Sequence, residues 1–363
     1  MDGRVHAKRV AVGAAYGGGG LGLLGAAAYG LLLGEATLAR RAIQPLEAGP
    51  PPADGRYLPT GDHLPADEHL PAGDYFTGQD GRSSRRVLRL ALLGDSSMVG
   101  YGVQTAAETP GALFGTGLAR LANCPVAVVS SAVIGARSVD LAAQVDEALS
   151  YDPELAVIFI GGNDVTHKTR PSVAVAQLAG AVQRLVEAGA QVVVGTCPDL
   201  GTIRPIPQPL RYLVRRWSRD LAAAQTVAVV EAGGRTVSLG DLLGAEFAAH
   251  PAEMFSSDRF HPSAAGYGRA VAAMLPSAAA ALGIGPQATE EPRADRGEGL
   301  RSLADAAVAA AEAAGTEVAP TEVEGHERGP WGRWVELRHR IRLRAAAPIG
   351  AQAPETSTEP LAG

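Results

Sequence analysis

Five short, mainly apolar runs punctuate the middle of the chain: Val87–Leu93, Val126–Val129, Leu155–Ile160, Gln191–Gly195 and Thr226–Val230. Runs of this length without polar alternation predict strands buried on both faces, as in a parallel sheet. Between them apolar positions recur at helical spacing over Glu108–Ala122, Val139–Leu149, Ser172–Ala188 and Leu210–Ala224, and a last helix is predicted over Ser263–Leu282. Ser138 stands where an N-cap belongs and Gly189 where a C-cap belongs. The alternation predicts an α/β domain over residues 86–283, a three-layer α/β/α sandwich on a five-stranded parallel sheet.

The flanks read differently. From Val10 to Gly34 no residue is charged, and Arg4, Lys8 and Arg9 precede the stretch. A bilayer-spanning helix needs about 20 apolar residues. Residues 1–43 are therefore expected to be a transmembrane anchor with the amino terminus inside and the catalytic domain extracytoplasmic; a cleaved signal peptide and secretion is the alternative. Residues 44–85, rich in Pro, Gly and Asp, are expected to be an extended linker, with His63 and His69 solvated in it rather than binding metal. Neither segment supplies a candidate site residue. Residues 284–363 are expected to be a low-complexity tail: Arg296–Ala314 is alanine-rich and helix-compatible, and Trp331–Arg344 alternates apolar and basic positions, as a strand or a segment facing anionic lipid would.

The candidate chemistry sits where the strands end. Val87–Leu93 breaks at Gly94-Asp95-Ser96, so Ser96 stands at the carboxyl end of a strand, where open α/β sheets bind ligands. A serine hydroxyl needs a base to become nucleophilic. Ser257-Asp258-Arg259-Phe260-His261 offers a histidine and a carboxylate to orient it on one short loop. Gly135 follows the second strand and offers a backbone N–H, and Asn163 follows the third and offers a side-chain amide, both donors suited to an oxyanion. The order Ser96, Gly135, Asn163, then Asp258-x-x-His261 resembles the SGNH hydrolases, also called GDSL-type lipases and esterases, over about residues 86–282. Block one reads Gly-Asp-Ser-Ser rather than Gly-Asp-Ser-Leu, which leaves turn and nucleophile intact. No Gly-x-Ser-x-Gly surrounds Ser96, against the ordinary α/β-hydrolase elbow.

The resemblance implies a serine ester hydrolase needing no cofactor or metal, acting on a small-molecule, glycan or lipid ester. A carbohydrate O-acetyl esterase or acetyltransferase of the cell envelope, and a membrane-tethered binding or scaffold protein without turnover, are the alternatives. The net charge of −6 over 363 residues excludes the basic field that nucleic-acid binding requires. Two cysteines, Cys124 and Cys197, exclude a disulfide framework. Arg211, Arg215, Arg216 and Arg219 read as a solvated helix face. The four-proline loop of residues 196–209 is too short for a lid, which predicts an open, shallow pocket for acetyl to hexanoyl groups.

Overall fold

The computed structural model describes residues 26–43, 46, 49–65, 76–77, 83–84 and 86–284. Helix α1 (residues 26–42) is followed by the short strands β1 (Gly55–Tyr57) and β2 (His63–Pro65) and a small hairpin, β3 (Phe76–Thr77) with β4 (Ser83–Ser84). The α/β unit then runs β5 (Leu88–Gly94), α2 (Ser96–Val99), α3 (Pro110–Ala122), β6 (Val126–Ser130), α4 (Leu141–Leu149), β7 (Leu155–Phe159), α5 (Gly162–Thr166), α6 (Pro171–Glu187) and β8 (Gln191–Gly195). It closes with α7 (Leu210–Glu231), β9 (Arg235–Val237), α8 (Leu239–Ala249), α9 (Pro251–Met254) and α10 (Ala264–Ala281).

The central strands are buried on both faces, successive side chains entering opposite cores. In β5, Leu88, Leu90 and Leu92 pack with Phe114 and Leu118 of α3 and Met274 of α10. Ala91 and Leu93, on the opposite face, pack with Leu141 and Val145 of α4 and Leu178 and Leu185 of α6. Each buried leucine side chain contributes roughly 1.5–3 kcal/mol of transfer free energy. The result is the expected layering of helices on both faces of a sheet.

The sheet is larger than expected and mixed. Seven strands run in the order β2-β1-β6-β5-β7-β8-β9, of which β6-β5-β7-β8-β9 are parallel. β1 adds to the β6 edge antiparallel, Tyr57 opposite Val126, and β2 pairs with β1. The segment expected to be an extended linker thus supplies two strands of this sheet as well as the β3–β4 hairpin. His63 stacks on Tyr57 with its Nε2 3.3 Å from the Asp54 carbonyl; His69 lies outside the described residues.

The fifth parallel strand is also not where it was expected. Thr226–Val230 belongs to α7, and the strand is Arg235–Val237. The buried positions of α7, Val214, Ser218, Leu221, Ala222, Gln225 and Val229, keep a helical stripe straight through the β-branched run. The chain breaks only at Gly233-Gly234. Ser138 likewise does not cap α4; it is buried in a 3₁₀ turn, Ser138–Asp140, ahead of it.

The amino-terminal segment is described only in part. No helix among the described residues is long and apolar enough to cross a membrane. Residues 10–25 of the uncharged stretch lie outside the described residues, and α1 carries its last positions on through Glu35, Arg40 and Arg41. The carboxyl half of α1 is docked. Glu35 is 5% exposed, and its Oε2 accepts the Leu210 N–H at 2.7 Å, capping an α7 whose own N-cap, Pro209, has no side chain to do so. Ala39 and Ile43 pack in one cluster with Ile203, Ile206 and Phe255, so the proline-rich loop buries its isoleucines against α1. The expected carboxyl-terminal tail, Arg296–Ala314 and Trp331–Arg344 included, lies outside the described residues.

Candidate active site

The parallel strands leave β5 first for one side of the sheet and then for the other, which opens a crevice at the carboxyl ends of β5 and β7. Gly94 closes the two strands there. Its φ is +136°, and a Cβ would lie 1.9 Å from the Phe159 carbonyl oxygen. Gln144 grips the same residue amide to amide: its Oε1 accepts the Gly94 N–H at 2.7 Å and its Nε2 donates to the Gly94 carbonyl at 2.9 Å. Asp95 then caps the single turn of α2, Oδ1 accepting the Ser97 N–H at 2.9 Å. Ser96 is the first residue of that turn, held from three directions.

Ser96 Oγ lies 2.9 Å from Nε2 of His261, and His261 Nδ1 lies 2.6 Å from Oδ2 of Asp258. The loop carrying both is tied at its ends by the Phe255–Pro262 bridge and by the Ser256 N–H donating to the His261 carbonyl. Asp258 is 4% exposed. Burial by itself would raise its carboxyl. The His261 ring N–H, the Phe260 N–H, the Ser256 hydroxyl and the His261 N–H donate to it and hold it down to about 2. An ionised Asp258 only accepts, so Nδ1 of His261 carries the proton and the lone pair of Nε2 faces Ser96.

Asn163 lies in the first turn of α5, just past β7. Its Nδ2 donates to the Ala136 carbonyl at 3.0 Å, so the β7 loop holds the β6 loop one residue past Gly135. An amide NH₂ has two hydrogens, and one is committed to this bond. Gly135 has φ +82° with nothing within 4 Å of its Cβ position, an open approach to its backbone. Asp164, 1% exposed, reinforces the link: its Oδ2 accepts both the Ser138 N–H and the Ser138 hydroxyl. The structure thus gathers Ser96, His261 and Asp258 into one hydrogen-bonded chain, and ties Asn163 to the Gly135 loop beside it.

Several supporting residues carried no expectation. The Tyr101 ring stands edge-on to His261 at 4.7 Å, and Phe260 stands edge-on at 4.9 Å. Tyr101 is itself fixed, its hydroxyl donating to the Leu46 carbonyl and its carbonyl accepting from the Tyr267 hydroxyl. Gln144 and Gln225 did leave a signal, each being a large polar residue within a mainly apolar helical stripe. Gln225 joins the β7 and β8 ends, accepting the Cys197 N–H and donating to the Ile160 carbonyl. Cys197 is buried in the α1–α7 cluster, and burial pushes its thiol well up. Arg215 and Arg219 reach from this face to the buried Asp199, while Arg215 and Arg216 stay exposed as the helix face was expected to be. Arg204 donates to the Ala248 carbonyl.

From Ser96, Asn163 and His261 a cavity of about 120 Å³ extends beneath α8, walled by Leu239, Leu243 and Phe247 and by Phe159, Phe255 and Ile203.

The chain is similar to several known proteins. A profile of the GDSL-like lipase/acylhydrolase family matches residues 92–269. A GDSL-like esterase of Mycobacterium tuberculosis is 42% identical over 245 residues, 66% of this chain and 73% of that protein. Among solved structures, the psychrotrophic esterase EstA from Pseudoalteromonas sp. is 16% identical with a TM-score of 0.41, covering 50% of this chain and 91% of that one. The lipase/acylhydrolase from Enterococcus faecalis is 21% identical with a TM-score of 0.41, covering 55% and 98%. The chain therefore belongs to the GDSL-like lipase/acylhydrolase family, and it is a hydrolase of ester bonds.

Proposed function

We propose that this chain cleaves carboxylic esters of short acyl groups through an acyl-enzyme on Ser96. His261 Nε2 takes the hydroxyl proton as Ser96 Oγ bonds to the ester carbonyl carbon. The negative charge that collects on the carbonyl oxygen is met by the N–H groups of Ser96 and Gly135 and by the second amide hydrogen of Asn163. The tetrahedral adduct collapses, the alkoxy C–O bond breaks, and His261 returns its proton to the departing alcohol. Water then repeats the sequence: its proton goes to His261, its oxygen bonds to the acyl carbon, and Ser96 leaves with the proton while the carboxylic acid is released. Asp258 stays ionised and steadies the imidazolium between the two transfers.

The observation that carries this reading is the unbroken chain Asp258–His261–Ser96 opening onto an apolar cavity. The test is labelling by a fluorophosphonate probe with aryl ester turnover alongside, in the native protein and in Ser96→Ala. Labelling at Ser96 and loss of turnover in the variant are expected. Undiminished hydrolysis by folded Ser96→Ala would overturn the mechanism. Release of acetate from acetylated glycans without aryl ester turnover would move the substrate to carbohydrate.

We propose as well, from the uncharged residues 10–34, that the amino-terminal segment holds the enzyme at a membrane with the domain on the outer side. The exposed Tyr29, Leu31 and Leu33 of α1 are consistent with that. Recovery of the full chain wholly in the soluble fraction would rule it out.

A further inference from the structure

The cavity beneath α8 is more than an extension of the crevice. Its polar wall groups are already engaged with the protein. The Thr202 hydroxyl donates to the Asp199 carbonyl, the Tyr267 hydroxyl donates to the Tyr101 carbonyl, and the Asp199 carboxylate is held by Arg215, Arg219 and the Gly201 N–H. What the wall offers a ligand is the hydrocarbon surface of Leu239, Leu243, Phe247 and Phe255. With the Thr202 and Tyr267 hydroxyl hydrogens already committed, a sugar placed there would find few donors to replace the water it loses.

The floor is defined at Gly195. A Cβ there would lie 2.7 Å from Leu239 Cδ1, 2.9 Å from Met274 Sδ and 2.9 Å from Phe159 Cδ1. Unlike Gly94 and Gly135, Gly195 is not at positive φ, so side-chain space rather than backbone conformation is what glycine provides at this point.

We infer that this cavity, between α8 and the ends of β7 and β8, is the acyl-binding site, and that it takes an aliphatic acyl group of about five carbons, by comparison with apolar cavities of about 150 Å³ that hold benzene. The inference rests on the ester hydrolysis proposed above. The apolar side of the site, beneath α8, suits the group that stays attached to Ser96 while the other product leaves. The alcohol and the incoming water need the open side, where the loop around Gly135 exposes Val133, Ile134 and Val139.

The experiment is kcat/KM for 4-nitrophenyl esters from acetyl to dodecanoyl, and for acetate esters of alcohols of increasing length, in the full chain and in Leu243→Ala. Each methylene buried in the cavity should raise kcat/KM about fourfold up to pentanoyl or hexanoyl, after which it should fall. Leu243→Ala removes three wall carbons and should move that maximum two to three carbons longer. Ratios between esters within one preparation cancel any loss of folded protein. A maximum that stays put in Leu243→Ala, or a length dependence that follows the alcohol instead of the acyl group, overturns the inference while leaving ester hydrolysis standing. Failure to turn over any ester, with Ser96 unlabelled by the fluorophosphonate, would instead overturn the proposed mechanism itself.

Discussion

Asp95 sits beside the nucleophile, 6% exposed, and its substitution by asparagine should stabilise the protein at neutral pH. Burial raises its carboxyl from 3.8 to about 6; the Ser97 N–H and the charge of His261 pull it down, and Asp164 pushes it up. A carboxyl raised in the folded state favours the protonated form there. Stability therefore falls as pH climbs from about 4 to about 6, and the full penalty is present above that. At 1.36 kcal/mol per pH unit, ionised Asp95 costs the fold ~3 kcal/mol at pH 7. Asparagine keeps an oxygen for the Ser97 N–H and is an equally good N-cap. Its new amide hydrogens need an acceptor in place of Oδ2, which gives back ~1 kcal/mol. The expected net gain for Asp95→Asn is ~2 kcal/mol at pH 7.5, or roughly 4–8 °C in Tm. Near pH 4, where the wild-type carboxyl is largely protonated, the gain should vanish. Urea unfolding of both proteins at the two pH values measures this directly. No gain at pH 7.5, or the same gain at both, would show that Asp95 is not a buried charge working against the fold.

Asn163→Ala should lower kcat by about 10²–10³ with little change in KM, because its amide acts on charge that develops only in the transition state; a raised KM at constant kcat would make it a binding residue. Asp258→Asn should lower kcat by about 10⁴, since asparagine lets Nδ1 of His261 face it unprotonated; near-native turnover would contradict the assigned tautomer. Asp258 titrates in the opposite sense to Asp95. Its depressed folded value means that ~2 kcal/mol of stability, present above about pH 4, is lost as pH falls through about 2, and Asp258→Asn should abolish that dependence in acid unfolding curves. Gly94→Ala should destabilise the domain by ~4 kcal/mol through steric overlap with the Phe159 carbonyl and a φ that alanine resists; a Tm within a few degrees of wild type would mean that β5 and β7 can separate cheaply.

The site was legible because its residues follow strands that announce themselves. Ser96, Gly135 and Asn163 each come just after an apolar run, and Asp258 and His261 are three residues apart on one loop. Elements whose partners are distant left weaker marks. β1 is three residues long, and its pairing with Val126–Val128 lies some seventy residues down the chain, so no local alternation could reveal it. α7 hid its end because β-branched residues favour strands by propensity while the burial stripe continued at helical period. α8 was missed because β9 before it is too short to signal a new β–α unit, and with it went the wall of the cavity. Tyr101 and Glu35 act through backbone groups of remote segments, Leu46 and Leu210, and sequence spacing says nothing of such pairs.

The docking of α1 fixes a distance. Along the crevice lip the chain is fastened four times: the Tyr29 ring lies 5.9 Å from Lys168 Nζ, Glu35 holds the Leu210 N–H, the Ala42 carbonyl accepts from Arg259, and the Leu46 carbonyl accepts from Tyr101. Lys168 follows the helix of Asn163, Arg259 precedes His261 by two residues, and Tyr101 flanks its ring. From residue 26 to Ala39 a helix rises only about 20 Å, at 1.5 Å per residue. Residue 26 is therefore held within a helix length of the catalytic mouth, and anything that engages the exposed Tyr29, Leu31 and Leu33 of α1 meets the enzyme beside its active site.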